Sequence, residues 1–166
     1  MHDLILIGLP ASGKTSAGRL LSQRLVMPFF DCDDAVAAAA GQPIPDIFAQ
    51  QGEESFRQLE SRVLRELCGR EGCVIATGGG AVLREENRRL LRRSGTVFWL
   101  ARRLSDSMST ECQTGRPLLA AGRAALEALA AQRRPLYAEC ACCRIGEPVL
   151  ERAVAEIQRI WEGEAP

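Results

Sequence analysis

Lys14 is the only lysine in the chain, and the rest of its 21 basic residues are arginine. It stands inside Gly8-Leu9-Pro10-Ala11-Ser12-Gly13-Lys14-Thr15, which fits the phosphate-loop pattern G-x-x-x-x-G-K-[ST]. An apolar run, Leu4 to Ile7, precedes the pattern and an amphipathic run, Ser16 to Leu25, follows it. That strand–loop–helix context is the one in which successive backbone N–H groups turn inward on an anion and a helix adds its positive end. A compact ammonium suits the β- and γ-phosphates, and a hydroxyl beside it suits Mg²⁺. The nucleotide candidates are therefore Ala11, Ser12, Gly13, Lys14, Thr15 and Ser16. The competing reading is a glycine-rich loop that only caps a helix.

Further chemistry-bearing residues recur at the ends of apolar runs. Asp31-Cys32-Asp33-Asp34 follows Phe29-Phe30. Alternation along an extended chain puts Asp31 and Asp33 on one side and Cys32 on the other. Two carboxylates there could serve Mg²⁺ and a hydroxyl nucleophile, while helix N-capping is the plainer use of Asp33 and Asp34. Thr77-Gly78-Gly79-Gly80 follows Cys73 to Ala76 and allows close backbone approach to a ligand, or only a flexible turn. Arg57 and Glu60 lie three apart on a predicted helix face, where the carboxylate could orient the guanidinium or form a solvated ion pair worth little. Arg116 ends a polar stretch, Arg102 to Gly115, that reads as a lid and could swing onto a transferring phosphate.

The elements that must position these residues alternate between strand and helix along the chain. After the first helix ends at Met27-Pro28, short strands are expected near Phe29, Cys73–Ala76, Thr96–Leu100 and Cys140–Ile145. Helices are expected over Ala35–Ala40, Ile44–Gln50, Glu53–Leu67 after a break at Gly52, Val82–Leu91, Ala121–Ala131 and from Pro148 onward. Pro135 is expected to stop the Ala121–Ala131 helix, with Arg133-Arg134-Pro135-Leu136-Tyr137 just beyond it and Arg134 biased toward extended backbone. The pattern predicts an α/β domain, residues 1–166, with about five parallel strands and helices on both faces.

Composition narrows the partners. With 21 basic and 21 acidic residues the net charge is zero, which implies no general attraction to nucleic acid or anionic membrane. No apolar run approaches the ~20 residues of a membrane span, and the N-terminus has no basic leader, so no targeting segment is expected and the setting is cytoplasmic. Seven cysteines without an export signal are expected as free thiols in a reducing compartment. The Cys140-Ala-Cys142-Cys143 cluster could suggest soft-metal binding, but burial beside a strand is the favoured reading. His2 is the only histidine, which argues against histidine-based triads and zinc hydrolysis.

Taken together, GLPASGKTS, the DCD after the second strand, FRQLE at Phe56–Glu60, GGGAV at Gly78–Val82, RPLL at Arg116–Leu119 and RRPLY at Arg133–Tyr137 resemble shikimate kinases in order and spacing. The resemblance runs from about residue 4 to 137. It implies a nucleoside-monophosphate-kinase-like fold with strand order 2-3-1-4-5, a substrate-binding segment at about 32–61 and a lid at about 105–121. It also implies ATP and Mg²⁺ as cofactors and phosphoryl transfer from ATP to the 3-hydroxyl of shikimate, in the route to aromatic amino acids. Residue by residue, it gives Lys14 the phosphates, Thr15 the metal, and Asp31 support of the metal through water. Asp33 becomes the contact to the shikimate hydroxyls and the base. Arg57 and Arg133 bind the substrate carboxylate together with Gly79 and Gly80 N–H groups, and Arg116 reaches the phosphates from the lid. The expected partner is this small molecule, with no nucleic acid, no membrane and a single copy of the chain.

Three positions depart from the family pattern. Ala11 replaces a usual loop glycine and is expected to fit through a negative φ. Ser109 replaces the arginine that packs on adenine, with Glu111 and Cys112 in a stretch that is usually basic. The loop Gly146-Glu147-Pro148 is short where the family contacts adenine. A looser hold on the base is expected, with phosphate contacts carrying most of the affinity.

Overall fold

The computed structural model describes residues 2–101 and 122–163. Five parallel strands form one sheet in the order β2-β3-β1-β4-β5, as the resemblance implied. They are β1 (Asp3–Ile7), β2 (Phe29–Asp31), β3 (Val74–Ala76), β4 (Gly95–Leu100) and β5 (Cys143–Ile145). The helices are α1 (Lys14–Leu25), α2 (Cys32–Ala40), α3 (Ile44–Cys68), α4 (Glu85–Ser94), α5 (Gly122–Cys140) and α6 (Leu150–Trp161).

The period-two geometry of β1 sets the two layers. Ile5 and Ile7 face a core with Val36, Phe56, Leu64, Leu91 and Tyr137, drawn from α2, α3, α4 and α5. Leu4 and Leu6 face the opposite core with Leu21 of α1 and Val154 and Ile157 of α6. A strand buried on both sides reads as a near-continuous apolar run, and every residue of β1 is buried. The one charged member, Asp3, accepts from the Cys73 N–H at 3.1 Å at the far end of the sheet from the phosphate loop.

Several sequence expectations are corrected. Asp31 closes β2 and α2 already begins at Cys32, so Asp31, Cys32 and Asp33 are not three alternating extended residues. Asp31 itself is the N-cap: its Oδ1 accepts from the Asp33 N–H at 2.9 Å, so neither Asp33 nor Asp34 caps the helix. A 3₁₀ turn, Ala81–Leu83, precedes α4, which starts at Glu85 rather than Val82. Gly52, at φ 79° and ψ 173°, breaks α3 where a break was expected.

The largest correction concerns Pro135, which lies inside α5 and does not end it. Proline removes one helical hydrogen bond, but Ala130 and Arg133 before it and Tyr137 and Cys140 after it are all buried. Packing on both sides of the proline outweighs the lost bond and carries the helix through. Arg133 thereby turns inward and its neighbour Arg134 outward, a distinction the paired arginines do not show in the sequence. No helix among the described residues is long and apolar enough to cross a membrane.

Candidate active site

Strand order assembles the site. Because β3 lies between β2 and β1, the loops leaving their carboxyl ends become neighbours although they start near residues 31, 77 and 8. The phosphate loop leaves β1, the acidic turn leaves β2, and the triple glycine leaves β3 between them.

In the phosphate loop, Gly8 lies at φ 149°, and a Cβ there would meet the Leu100 carbonyl oxygen at 2.7 Å. Gly13, at φ 90°, opens α1 with no side-chain cap, leaving the helix's first N–H groups toward the loop. Ala11 lies at φ 61°, so the expected negative φ is wrong: alanine occupies a left-handed position that glycine would take more easily. Lys14 is 7% exposed and its ammonium donates to the carbonyl oxygens of Gly8 at 2.9 Å and Leu9 at 2.7 Å. Ser12 is buried, its N–H bonded to the Leu9 carbonyl at 3.2 Å, and Ser16 is exposed on the first turn of α1. The Thr15 hydroxyl donates to Asp31 Oδ2 at 2.6 Å, which joins the loop to the end of β2. This pair offers oxygen donors only, the kind a hard cation such as Mg²⁺ takes.

The three glycines are needed because each abuts a different part of the site. A Cβ on Gly78 would lie 2.6 Å from Glu60 Oε1 and 2.7 Å from Asp33 Oδ1. On Gly79 it would meet Pro10 Cδ of the phosphate loop at 2.8 Å, and on Gly80 it would overlap the Arg57 guanidinium. The close approach found at these glycines is to Glu60, Asp33, Pro10 and Arg57. Asp33, Arg57, Glu60, Gly78–Gly80 and Pro10 thus surround one small volume.

Arg57 and Glu60 are not the solvated pair that their spacing alone suggested. Glu60 is 1% exposed and accepts from Arg57 Nη1 at 2.7 Å. Burial pushes its carboxyl pKa up, while the charges of Arg57 and Arg133 oppose the rise. Arg133 is 4% exposed, and its charge acts on the Tyr137 phenol as well as on Glu60. Among the described residues Arg57 Nε, Arg133 Nε and Glu60 Oε1 are buried without a hydrogen-bond partner. Unpaired buried donors on two guanidiniums that both act on the Glu60 charge are a demand for an acceptor. Arg57 also lies 5.0 Å from the Phe56 ring centroid, and Phe56 packs on Phe48 at 4.5 Å.

Sequence reasoning gave Tyr137 no role. Its hydroxyl donates to the Gly79 carbonyl at 2.6 Å and its ring stacks on Trp99. The signal available was that it is the chain's only tyrosine, four residues after Arg133 on what proves to be one helix face. Among the cysteines, Cys32, Cys68, Cys73 and Cys140 are buried, whereas Cys142 is exposed and Cys143 half-buried. Burial pushes the thiols of Cys73 and Cys68 up to about 12 and about 11. Arg116, Ser109, Glu111, Cys112 and the expected lid lie outside the described residues.

Comparison with known proteins converges on one family. The family model described as shikimate kinase matches residues 10–159. A shikimate kinase of Symbiobacterium thermophilum is 48% identical over 164 residues, 93% of each chain. A shikimate kinase of Neisseria gonorrhoeae is 48% identical over 141 residues, 83% of each chain. Among solved structures, the shikimate kinase of Acinetobacter baumannii in complex with shikimate superposes with a TM-score of 0.92 at 33% identity, covering 98% of this chain and 93% of that one.

Proposed function

The chain belongs to the shikimate kinase family, and from that premise we propose that it transfers the γ-phosphate of ATP to the 3-hydroxyl of shikimate, giving shikimate 3-phosphate and ADP. The observation that carries the reading is a buried arginine, Arg133, and a half-buried one, Arg57, each with a buried and unpaired Nε, beside the glycine loop that touches Pro10 of the phosphate loop. A compact ring carrying one carboxylate and several hydroxyls fits it. Arg57, Arg133 and the N–H groups of Gly79 and Gly80 take the carboxylate, and the half-buried Asp33 takes the hydroxyl end.

In the step itself, the 3-hydroxyl oxygen bonds to the γ-phosphorus as the bond from that phosphorus to the β–γ bridging oxygen breaks. The electron pair of that bond leaves on ADP, and the Asp33 carboxylate accepts the hydroxyl proton. Such transfers need positioning and charge neutralisation more than covalent help from the protein. Lys14 and the loop N–H groups hold the phosphates, and Arg116 keeps the phosphate contact that the resemblance gives it. Thr15 and Asp31 are the residues that would hold Mg²⁺, which when bound neutralises charge on the phosphate oxygens. A single copy of the chain in the cytoplasm is sufficient for this chemistry, since each residue named belongs to the same chain.

The test is ADP release from ATP–Mg²⁺ with shikimate, with gluconate, and with neither. Turnover that depends on shikimate alone is expected. Equal release in all three reactions would remove the reading.

A further inference from the structure

The glycine loop is tied down from outside along its carbonyl side. Ala81 N–H and Leu83 N–H donate to the carbonyls of Gly78 and Gly80 at 3.1 and 3.0 Å. Asn87 Nδ2 donates to the Ala81 carbonyl at 3.0 Å, and Arg88 Nη1 to those of Val82 and Leu83 at 2.8 and 3.3 Å. The Gly79 carbonyl takes its donor from a different element: the Tyr137 hydroxyl on α5, at 2.6 Å. Among the described residues no backbone carbonyl accepts from the N–H groups of Gly79 and Gly80.

A peptide group is planar and trans, so its C=O and N–H point in opposite directions, and the chain has no cis bond among the described residues. The Gly79 carbonyl and the Gly80 N–H belong to one such plane. Between two glycines that plane rotates with little steric resistance. Holding the carbonyl therefore aims the N–H on the other side, and the Gly80 Cα is the one that abuts Arg57.

Tyr137 is built to hold still. It is 1% exposed, its ring lies 5.7 Å from Trp99 at 29°, and Arg144 lies 5.3 Å over the same indole. Burial pushes its phenol up to about 12, which keeps the hydroxyl a donor. We propose that Tyr137 is a positioning residue for the substrate's carboxylate: by holding the Gly79 carbonyl it orients the Gly80 N–H toward the acceptor that Arg57 and Arg133 also bind. The inference rests on the carboxylate reading of the site given above.

The experiment compares steady-state kinetics of the wild type and Tyr137→Phe on shikimate and on its carboxamide, which has the same ring without the charge. In Tyr137→Phe the KM for shikimate should rise about fivefold to tenfold, the loss of one buried hydrogen bond. Its kcat should change by less than about twofold, the KM for ATP should not move, and the preference for shikimate over the carboxamide should shrink by the same factor as the KM rises. An unchanged KM for shikimate, or an equal rise for both substrates, overturns the inference and leaves the carboxylate reading standing. A wild type that does not distinguish the two substrates takes down the reading and the inference together. If Tyr137→Phe does not fold, Trp99→Phe keeps the phenol and removes the indole it leans on. That variant must show the same carboxylate-selective loss, and an unselective loss overturns the inference.

Discussion

Lys14 and Arg133 are both buried cations, but the site asks different things of them. On the proposed reading Lys14 holds the phosphates, where charge would move during the reaction, so Lys14→Ala should lower kcat by about a thousandfold or more. On the same reading Arg133 holds the end of the substrate that does not react. Its loss removes charge-assisted hydrogen bonds made equally in ground and transition states, so Arg133→Ala should raise the KM for shikimate about tenfold to a hundredfold with a smaller effect on kcat. Steady-state kinetics with each substrate varied separates the two. Tyr137 allows a cleaner check, because it is the only tyrosine in the chain. Its phenol is pushed up to about 12 in the folded chain by burial, against about 10 unfolded. An acid with a raised folded pKa contributes stability that is intact below the unfolded value and is lost as pH rises through the folded one. Tyrosinate absorbance should therefore stay absent in the native chain at pH 10–11, where the urea-unfolded chain shows it. A native titration near pH 10 would mean that the hydroxyl is not buried.

Individual elements show where the sequence was legible. The phosphate loop could be read outright because its chemistry is local: two glycines, one lysine and two hydroxyls within eight residues. The end of β2 could not, because whether Asp31 or Asp33 caps α2 depends on where the strand stops, and a three-residue strand gives almost no periodicity. Helix α5 was misjudged for a related reason. Proline was weighed as a local breaker, but buried residues on both sides of Pro135 decide the outcome. Glu60 was undervalued because spacing reveals a partner and not its burial. Ala11 makes an element-scale prediction. At φ 61° it holds a conformation that costs alanine about 1–2 kcal/mol, against about 0.4–1 kcal/mol of chain entropy that glycine adds. Ala11→Gly should thus raise unfolding stability by about 0.5–1 kcal/mol, measured by urea titration with ATP absent, since the gain exceeds the extra chain entropy that glycine adds. Lower stability in the variant would show that the loop is not under this strain.

At the scale of the molecule, the order 2-3-1-4-5 was legible because alternating strand and helix segments leave few topologies, and the resemblance chose among them. That order then explains why a substrate site can be read from scattered residues: it brings the ends of β1, β2 and β3 side by side. The base end of the nucleotide is a different matter. The residues that set it apart from the family, Ser109 to Cys112, lie outside the described residues. The loop after β5 is short, with the Val149 N–H bonded to Glu147 Oε1 at 2.9 Å and Val149 itself 47% exposed. If the phosphate end dominates, ATP and GTP should differ by less than about tenfold in kcat/KM, well under the discrimination a site with base-specific hydrogen bonds achieves. A strict preference for ATP with a low KM would contradict this.

The most direct test of the whole account is the position of the transferred phosphate. The wild-type chain is incubated with ATP–Mg²⁺ and shikimate, and the product is resolved by phosphorus–proton correlation NMR while ADP is counted in the same sample. One phosphorylated product is expected, carrying its phosphate on the 3-hydroxyl and matching ADP one for one. ADP formed without phosphorylated shikimate, or phosphate on another hydroxyl, would contradict the placement of Asp33 at one end of the substrate and of Arg57 and Arg133 at the other.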